Sequence, residues 1–264
     1  MPSLALRDIL QTMEHIALSD LAVLIVGEAG VEKGLLAKTM HELSGRADRR
    51  FFSLDCSSIS DESMPKMLLG YEDLTLSGVD IHEGILEQAS GGTLFFDNIG
   101  SLSPEVQKKI ARIIEHQQFR HVGGSEEIMT RVRFIIGVTA RLAGSADGQR
   151  PDRDISFRMC PVIINLPPLR KRPEDIPFLI EKYVSEFSAQ SPCKPHGISA
   201  GTLRVCLHYD WPGNADELKS VVEQAMKICS DVLIQVNDLP LYIRESAESD
   251  ERFRFTAATV GGSP

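Results

Sequence analysis

Leu21-Ala22-Val23-Leu24-Ile25-Val26, followed by Gly27-Glu28-Ala29-Gly30-Val31-Glu32-Lys33-Gly34, is the stretch that decides how this chain folds. The compact apolar run ending at Gly27 suits a buried strand of a parallel sheet. A glycine-containing turn then leads into a helix expected from about Lys33 to Leu43. That order is the order of a phosphate-binding loop. Glycines let the backbone bend and approach phosphate oxygens, a helix N-terminus faces them, a lysine reaches the outer phosphates and a hydroxyl serves the metal. Lys33 stands at the right distance from Gly27, with Gly30 between them. Glu32 takes the place of the last glycine, and Gly34 the place of the hydroxyl. Alone, the segment reads equally as a degenerate phosphate loop or as an ordinary strand–turn–helix junction.

Further along, Gly91-Gly92-Thr93-Leu94-Phe95-Phe96-Asp97-Asn98-Ile99-Gly100 is an apolar strand ending in one acid and then an amide. A nucleotide-hydrolysing site on such a strand needs one acid for the metal and one for the attacking water. Asp97 suits the first task. Asn98 does not suit the second, because an amide does not accept a proton near neutral pH.

Working outward, Leu6, Ile9, Met13 and Ile16 predict an amphipathic helix over 4–17. Strands are expected at Phe51–Leu54, Thr93–Phe96, Arg133–Val138 and Val162–Leu166, and a helix opened by Pro104 runs to His116. Helices are also read at Ser63–Leu69 and Ile81–Ala89 with a non-periodic stretch between them, and Gly123-Gly124 marks a hairpin within 119–134. Strand–helix alternation of this kind implies an α/β fold, a mostly parallel sheet flanked by helices. After Pro167 only helices are expected, at about 174–189, 199–208, 214–229 and 237–243. The expected organisation is an α/β nucleotide-binding subdomain over 1–167, a small all-helical lid over 168–243 and a disordered tail over 244–264.

The net charge of −9 argues against a broad electrostatic grip on nucleic acid. Arg170-Lys171-Arg172 is read either as a local basic strip or as a solvated loop or helix start. Five scattered cysteines with no C-x-x-C pair suit free thiols in a reducing cytoplasm and speak against zinc. No stretch approaches the ~20 apolar residues of a membrane span, and residues 1–20 carry no signal-peptide pattern, so a cytoplasmic protein without membrane partners is expected. His82, His116, His121 and His208 lack metal-ligand spacing and read as surface or core residues. Trp211 reads as a packing residue, and Asn214 as a helix-start residue with N-cap chemistry.

Several ordered segments together resemble the central AAA+ ATPase domain of sigma-54-dependent transcriptional activators, the bacterial enhancer-binding proteins. Gly91–Gly100 resembles that family's second nucleotide motif, and Phe119-Arg120-His121-Val122-Gly123-Gly124 its hairpin before the first sensor. Leu166–Pro177 is similar, almost letter for letter, to its link into the lid. Tyr209-Asp210-Trp211-Pro212-Gly213-Asn214, with Glu217-Leu218, resembles the lid's sensor segment.

The resemblance implies a P-loop AAA+ fold that binds ATP and Mg2+ at Gly27, Glu28, Ala29, Gly30, Val31, Glu32, Lys33 and Gly34, with Asp97 on the metal. It also marks departures. Glu32 replaces a family glycine, and Asn98 the acid that polarises water. Thr139 falls at the first sensor, with Ala140 where the family carries asparagine. The two arginine fingers fall at Asp152 and Arg158, with Arg153 one residue off, and the lid's sensor arginine falls at Asp216. The family's sigma-54-contacting loop corresponds to 74–79, where Leu76 stands in the aromatic position, so direct contact with sigma-54 is not expected. No receiver or helix-turn-helix DNA-binding module is expected in the chain. The function implied is regulation of transcription by a AAA+ domain that binds ATP weakly and hydrolyses it poorly or not at all. It would act by co-assembly with an active paralogue or in its own ring. The alternatives are an ATPase completed in trans by a partner subunit and a nucleotide-independent adaptor.

Overall fold

The computed structural model describes residues 3–75, 78–139, 160–188 and 195–249. Two compact units result: one comprises Asp8–Glu28 with Glu32–Leu166, the other Met1–Arg7, Ala29–Val31 and the chain from Pro167 onward.

The larger unit is built on five parallel strands: β1 (Val23–Gly27), β2 (Phe51–Asp55), β5 (Thr93–Asp97), β8 (Arg133–Thr139) and β9 (Val162–Asn165). Their order across the sheet is β2-β5-β8-β1-β9. The three inner strands, β5, β8 and β1, are buried along their length, as continuous apolar runs in a sheet covered on both faces must be, while the edge strands β2 and β9 are partly exposed. Leu24, Phe96, Phe134 and Ile136 share one core cluster with Leu86, Val106, Ile110 and Ile114. Around the sheet lie α1 (Leu4–Ala17), α2 (Lys33–Glu42), α3 (Ser63–Leu69), α4 (Ile85–Gln88) and α5 (Pro104–His116). Arg133, 1% exposed at the start of β8, donates through Nη1 to Ala17 O at 2.7 Å and through Nη2 to Ile16 O at 2.9 Å. It thereby caps the C-terminal carbonyls of α1, where a cation is favoured.

The stretch expected to be non-periodic is a hairpin, β3 (Tyr71–Thr75) against β4 (Gly78–His82), in antiparallel register from Tyr71↔His82 to Thr75↔Gly78. The helix expected over Ile81–Ala89 is correspondingly cut to α4, because Ile81 and His82 are committed to the hairpin. A second hairpin pairs β6 (Gln118–Phe119) with β7 (Ile128–Met129), and Gly123-Gly124 lies in its connection as anticipated. Val122 joins the two hairpins through an isolated bridge to Tyr71.

The smaller unit packs α6 (Ile176–Phe187), α7 (Ala200–His208), α8 (Asn214–Ile228) and α9 (Leu241–Ser249) around Trp211, Tyr183, Leu218 and Val222. It is not wholly helical: β10 (Gly197–Ile198) and β11 (Leu233–Ile234) form a short parallel pair. The last helix begins at Leu241 and runs to Ser249, later than the expected 237–243. Arg172 is 4% exposed and lies 3.7 Å from Asp175, so Arg170–Arg172 is neither a uniformly solvated run nor a continuous basic strip.

Candidate functional site

Parallel strands deliver their functional groups at their carboxyl ends. Here β2, β5, β8 and β1 are neighbours in that order, and their last residues are Asp55, Asp97, Thr139 and Gly27. The sheet register sets Asp55 against Asp97 and Gly27 against Thr139. Four strand ends therefore present one row of polar groups.

Lys33 begins α2 and is 6% exposed. Its Nζ donates to Glu28 O at 3.1 Å and to Thr139 Oγ1 at 3.3 Å. Glu28 through Lys33 thus curl so that the ammonium sits under the turn. Glu32, the residue before the helix, has φ 65° and ψ 41°, and its side chain makes no capping hydrogen bond. That is the left-handed region, which glycine adopts freely and an L side chain does not. Glu32 therefore holds a backbone geometry that suits glycine better than glutamate.

Asp97 Oδ1 accepts from Asn98 N at 2.9 Å. A Cβ on Gly137 of the adjacent strand would lie 2.8 Å from the same oxygen, so Asp97 leans over Gly137 and a larger residue there would push its carboxylate aside. Asn98 is also left-handed, φ 53°. Its Oδ1 accepts from the Thr139 hydroxyl at 2.7 Å, and Asp55 lies at the end of the strand on the other side of β5. Lys33, Thr139 and Asn98 therefore form one hydrogen-bonded row, with Asp55 beyond it at the end of β2. Asp55 in turn accepts from Ser57 Oγ at 2.7 Å and Ser57 N at 3.0 Å. Those Ser57 bonds first, and Asn98 after them, hold its carboxyl below the usual range despite some desolvation.

Magnesium at a nucleotide site takes one or two carboxylates and fills its octahedron with phosphate oxygens and water. Asp97 in its glycine cradle fits that demand, although Gly34 brings no hydroxyl. Among the described residues no group of three or more His, Cys, Asp or Glu side chains is placed to hold a metal by itself.

Comparison with known proteins agrees with this architecture. Residues 2–165 match the model of the sigma-54 interaction domain, and residues 170–254 that of the AAA+ ATPase lid domain. The chain belongs to the sigma-54 interaction domain family. The transcriptional regulatory protein ZraR of Salmonella typhimurium is 34% identical over 240 residues, 90% of this chain and 54% of that protein. The nitrogen fixation protein AnfA of Azotobacter vinelandii is 32% identical over 95% of this chain and 47% of its own length. The chain thus spans about half the length of the curated relatives it matches. Among solved structures, NtrX from Brucella abortus in complex with ATP superposes with TM-score 0.79 at 31% identity, covering 95% of this chain and 57% of that one.

In this sigma-54 interaction domain the sequence-derived candidates divide by unit. Gly27, Glu28, Glu32, Lys33, Gly34, Asp97, Asn98 and Thr139 lie in the α/β unit. Ala29, Gly30 and Val31 group with the helical unit, as does Asp216. There the amides of Ala215 and Asp216 reach Gly30 O at 2.9 and 3.3 Å. Asn214 does not cap its own helix; Gly213 occupies that place, and its amide donates to Glu217 Oε2 at 2.8 Å. The Asn214 side chain, fully buried, instead accepts from Leu169 N and donates through Nδ2 to Ala29 O, both at 2.8 Å. Arg158, Asp152, Arg153 and Ala140 lie outside the described residues, as do Leu76 and Ser77 of the 74–79 segment.

Two residues were missed in the sequence. Asp55 follows an expected strand, and its position at a carboxyl strand end was the available signal. His121, read only as a surface or core histidine, is 7% exposed, with Nε2 3.0 Å from Glu87 Oε2 and Nδ1 3.4 Å from Glu72 Oε1. It ties together the two hairpins and α4. The Phe-Arg-His-Val-Gly-Gly segment carried it, but nothing in that segment names its partners.

Proposed function

We propose that this domain regulates sigma-54-dependent transcription through protein contacts, in its own ring or co-assembled with an active paralogue. In this reading it acts in the cytoplasm, binds ATP weakly through residues 27–34 and hydrolyses it slowly or not at all. Lys33 would reach the outer phosphates, Asp97 would hold Mg2+, and Thr139 would face the γ-phosphate. When bound, the magnesium ion would screen charge on the phosphates. The observation that carries the reading is Asn98. The residue standing where the family places its water-polarising acid is an amide whose oxygen is already taken by the Thr139 hydroxyl at 2.7 Å. General-base groups contribute ~10²–10⁴-fold in rate, so an amide in that place makes for slow turnover.

The left-handed glutamate at 32 supports weak binding, since it sets a carboxylate beside a loop whose task is to receive phosphate. Asp216, on the amide that reaches Gly30, adds a second acid where the family has an arginine. Contact with sigma-54 itself is assigned to the partner, because the 74–79 segment departs from the family's contact loop.

The test is ATP binding by calorimetry with magnesium, and turnover of the chain alone and mixed with a complete activator of the family. Weak binding abolished by Lys33→Ala, with little turnover alone, is the expected result. Robust turnover by the isolated chain overturns the reading. Turnover that appears only in the mixture points to a site completed in trans, with Arg158 the candidate finger. No nucleotide binding at all leaves the adaptor.

A further inference from the structure

We propose that Asp55 orients and polarises the attacking water in this domain, so that the acid absent from position 98 is supplied from the neighbouring strand. This inference rests on the proposed nucleotide site and goes beyond it by assigning the residue that carries its slow turnover.

The argument begins with the sheet. Asp55 ends β2 and pairs in register with Asp97 at the end of β5. Neighbouring strands lie about 4.8 Å apart, so Asp55 stands one strand spacing from Asp97, the residue just before position 98. Facing residues in register point to the same side of a sheet, which sets Asp55 and Asp97 on one face. Their surroundings then separate them. Asp97 leans across Gly137 toward β8, the strand beside β1 and its loop. Asp55 stays on the β2 side, solvent-exposed, where water has access.

Hydrogen bonding separates the two candidates for the water. Asn98 offers one acceptor oxygen, and Thr139 already donates to it at 2.7 Å. Its side chain is spent on bridging two strands. Asp55 carries two oxygens with about four lone-pair sites. Ser57 N and Oγ both take Oδ1, which fixes the carboxylate's orientation and leaves acceptor capacity for water.

The step balances without a further reagent. The water oxygen attacks the γ-phosphorus of a nucleoside triphosphate, and the bond from that phosphorus to the bridging oxygen breaks, leaving the diphosphate with its electron pair. The water proton passes to the Asp55 carboxylate and from there to the released phosphate or solvent. An offset of a strand spacing is large for a reacting group, since misplacement of ~1 Å can cost ~10²-fold. Slow turnover is what such an arrangement delivers.

The test uses the full chain, with Lys33→Ala as the background for turnover. Asp55→Asn is expected to lower ATP turnover at least tenfold while the Kd for ATP stays within twofold. It should also weaken binding of ADP–aluminium fluoride, which mimics the transferring phosphoryl group, at least tenfold, with ADP alone unchanged. The double variant Asp55→Asn/Asn98→Asp keeps one acid and one amide in exchanged places and should recover wild-type turnover or exceed it. A merely structural Asp55 would not give that recovery. Unchanged turnover and fluoride binding in Asp55→Asn overturns the proposal, as does a wild type that binds ATP but turns over no faster than Lys33→Ala. In both outcomes the reading of a weakly binding, poorly hydrolysing domain survives. Absence of ATP binding defeats that reading and this one together.

Discussion

Replacing Glu32 should change ATP affinity and stability separately, and two substitutions resolve the two effects. Glu32 sits at φ 65°, ψ 41°, immediately before α2. A left-handed backbone costs an L residue about 1–2 kcal/mol, and glycine removes that cost. Glycine gives back about 0.5–1 kcal/mol by loosening the unfolded chain, so Glu32→Gly should stabilise by about 1 kcal/mol or less. For a chain of this size that is a rise of about 2–4 °C in Tm at most. The charge acts on the ligand instead. A carboxylate about 5 Å from a phosphate charge repels it by about 3 kcal/mol at an effective dielectric near 20. Glu32 is only partly buried, and solvent reduces this to about 1–3 kcal/mol, a ten- to hundredfold gain in affinity when the charge is removed. Glu32→Gln removes the charge and keeps the strain; Glu32→Gly removes both. Calorimetry with ATP and magnesium should show both variants tighter than wild type, while thermal unfolding should show only the glycine variant more stable. A Kd within twofold of wild type in both variants refutes the repulsion argument. A glycine variant no more stable than the glutamine variant refutes the strain argument.

The His121 triad predicts a pH dependence. Burial lowers the imidazole's pKa, but hydrogen bonds and charge from Glu87 on α4 and Glu72 on β3 outweigh it, and the net shift is upward. A folded pKa above the unfolded value means the stabilisation is complete below the unfolded pKa, about 6.5, and is lost as pH rises through the folded one. The Tm advantage of wild type over His121→Gln, followed by circular dichroism from pH 5.5 to 9, should therefore shrink as pH rises; a constant difference contradicts the pairing. In the helical unit, Asn214→Ala removes the bonds to Leu169 N and Ala29 O and places alanine at φ 54°. A loss of about 2–4 kcal/mol is expected, read as a lowered urea midpoint; a loss below about 1 kcal/mol would mean that water replaces both partners.

The three inner strands of the sheet were legible because each is buried along its length and reads as an unbroken apolar run: Leu-Ala-Val-Leu-Ile-Val, Thr-Leu-Phe-Phe, Phe-Ile-Ile-Gly-Val. The β3–β4 hairpin was not. Its strands carry Glu72, Asp73, Asp80 and His82 among the apolar residues, and Ile81 is 56% exposed, so burial imposes no clean period on it. Arg133 shows a different limit. A charge inside an apolar strand looks like an error until its partners, the carbonyls of Ile16 and Ala17, are brought to it from more than a hundred residues away. Asn214 shows the same limit: its residue type suggested a cap, and tertiary partners claimed the side chain instead.

At the candidate site, motif spacing was enough for Lys33 and Asp97, because each is fixed by a short local segment: a turn before a helix, and the end of a strand. Thr139 and Asn98 could be placed one at a time but not joined, since their 2.7 Å bond depends on β5 and β8 being neighbours. Asp55 needed one more strand. Read along the chain, Asn98 is an amide after a strand-end acid; read across the sheet, a second strand-end acid, Asp55, stands in register with Asp97. A row of strand ends allows an exchange between them because neighbouring ends are interchangeable to within about 5 Å. The same distance is what separates a fast hydrolase from a slow one. In the proposed function Asn98 bears on rate and Glu32 on affinity, and the Lys33 ammonium between them is already shared between Glu28 O and Thr139 Oγ1.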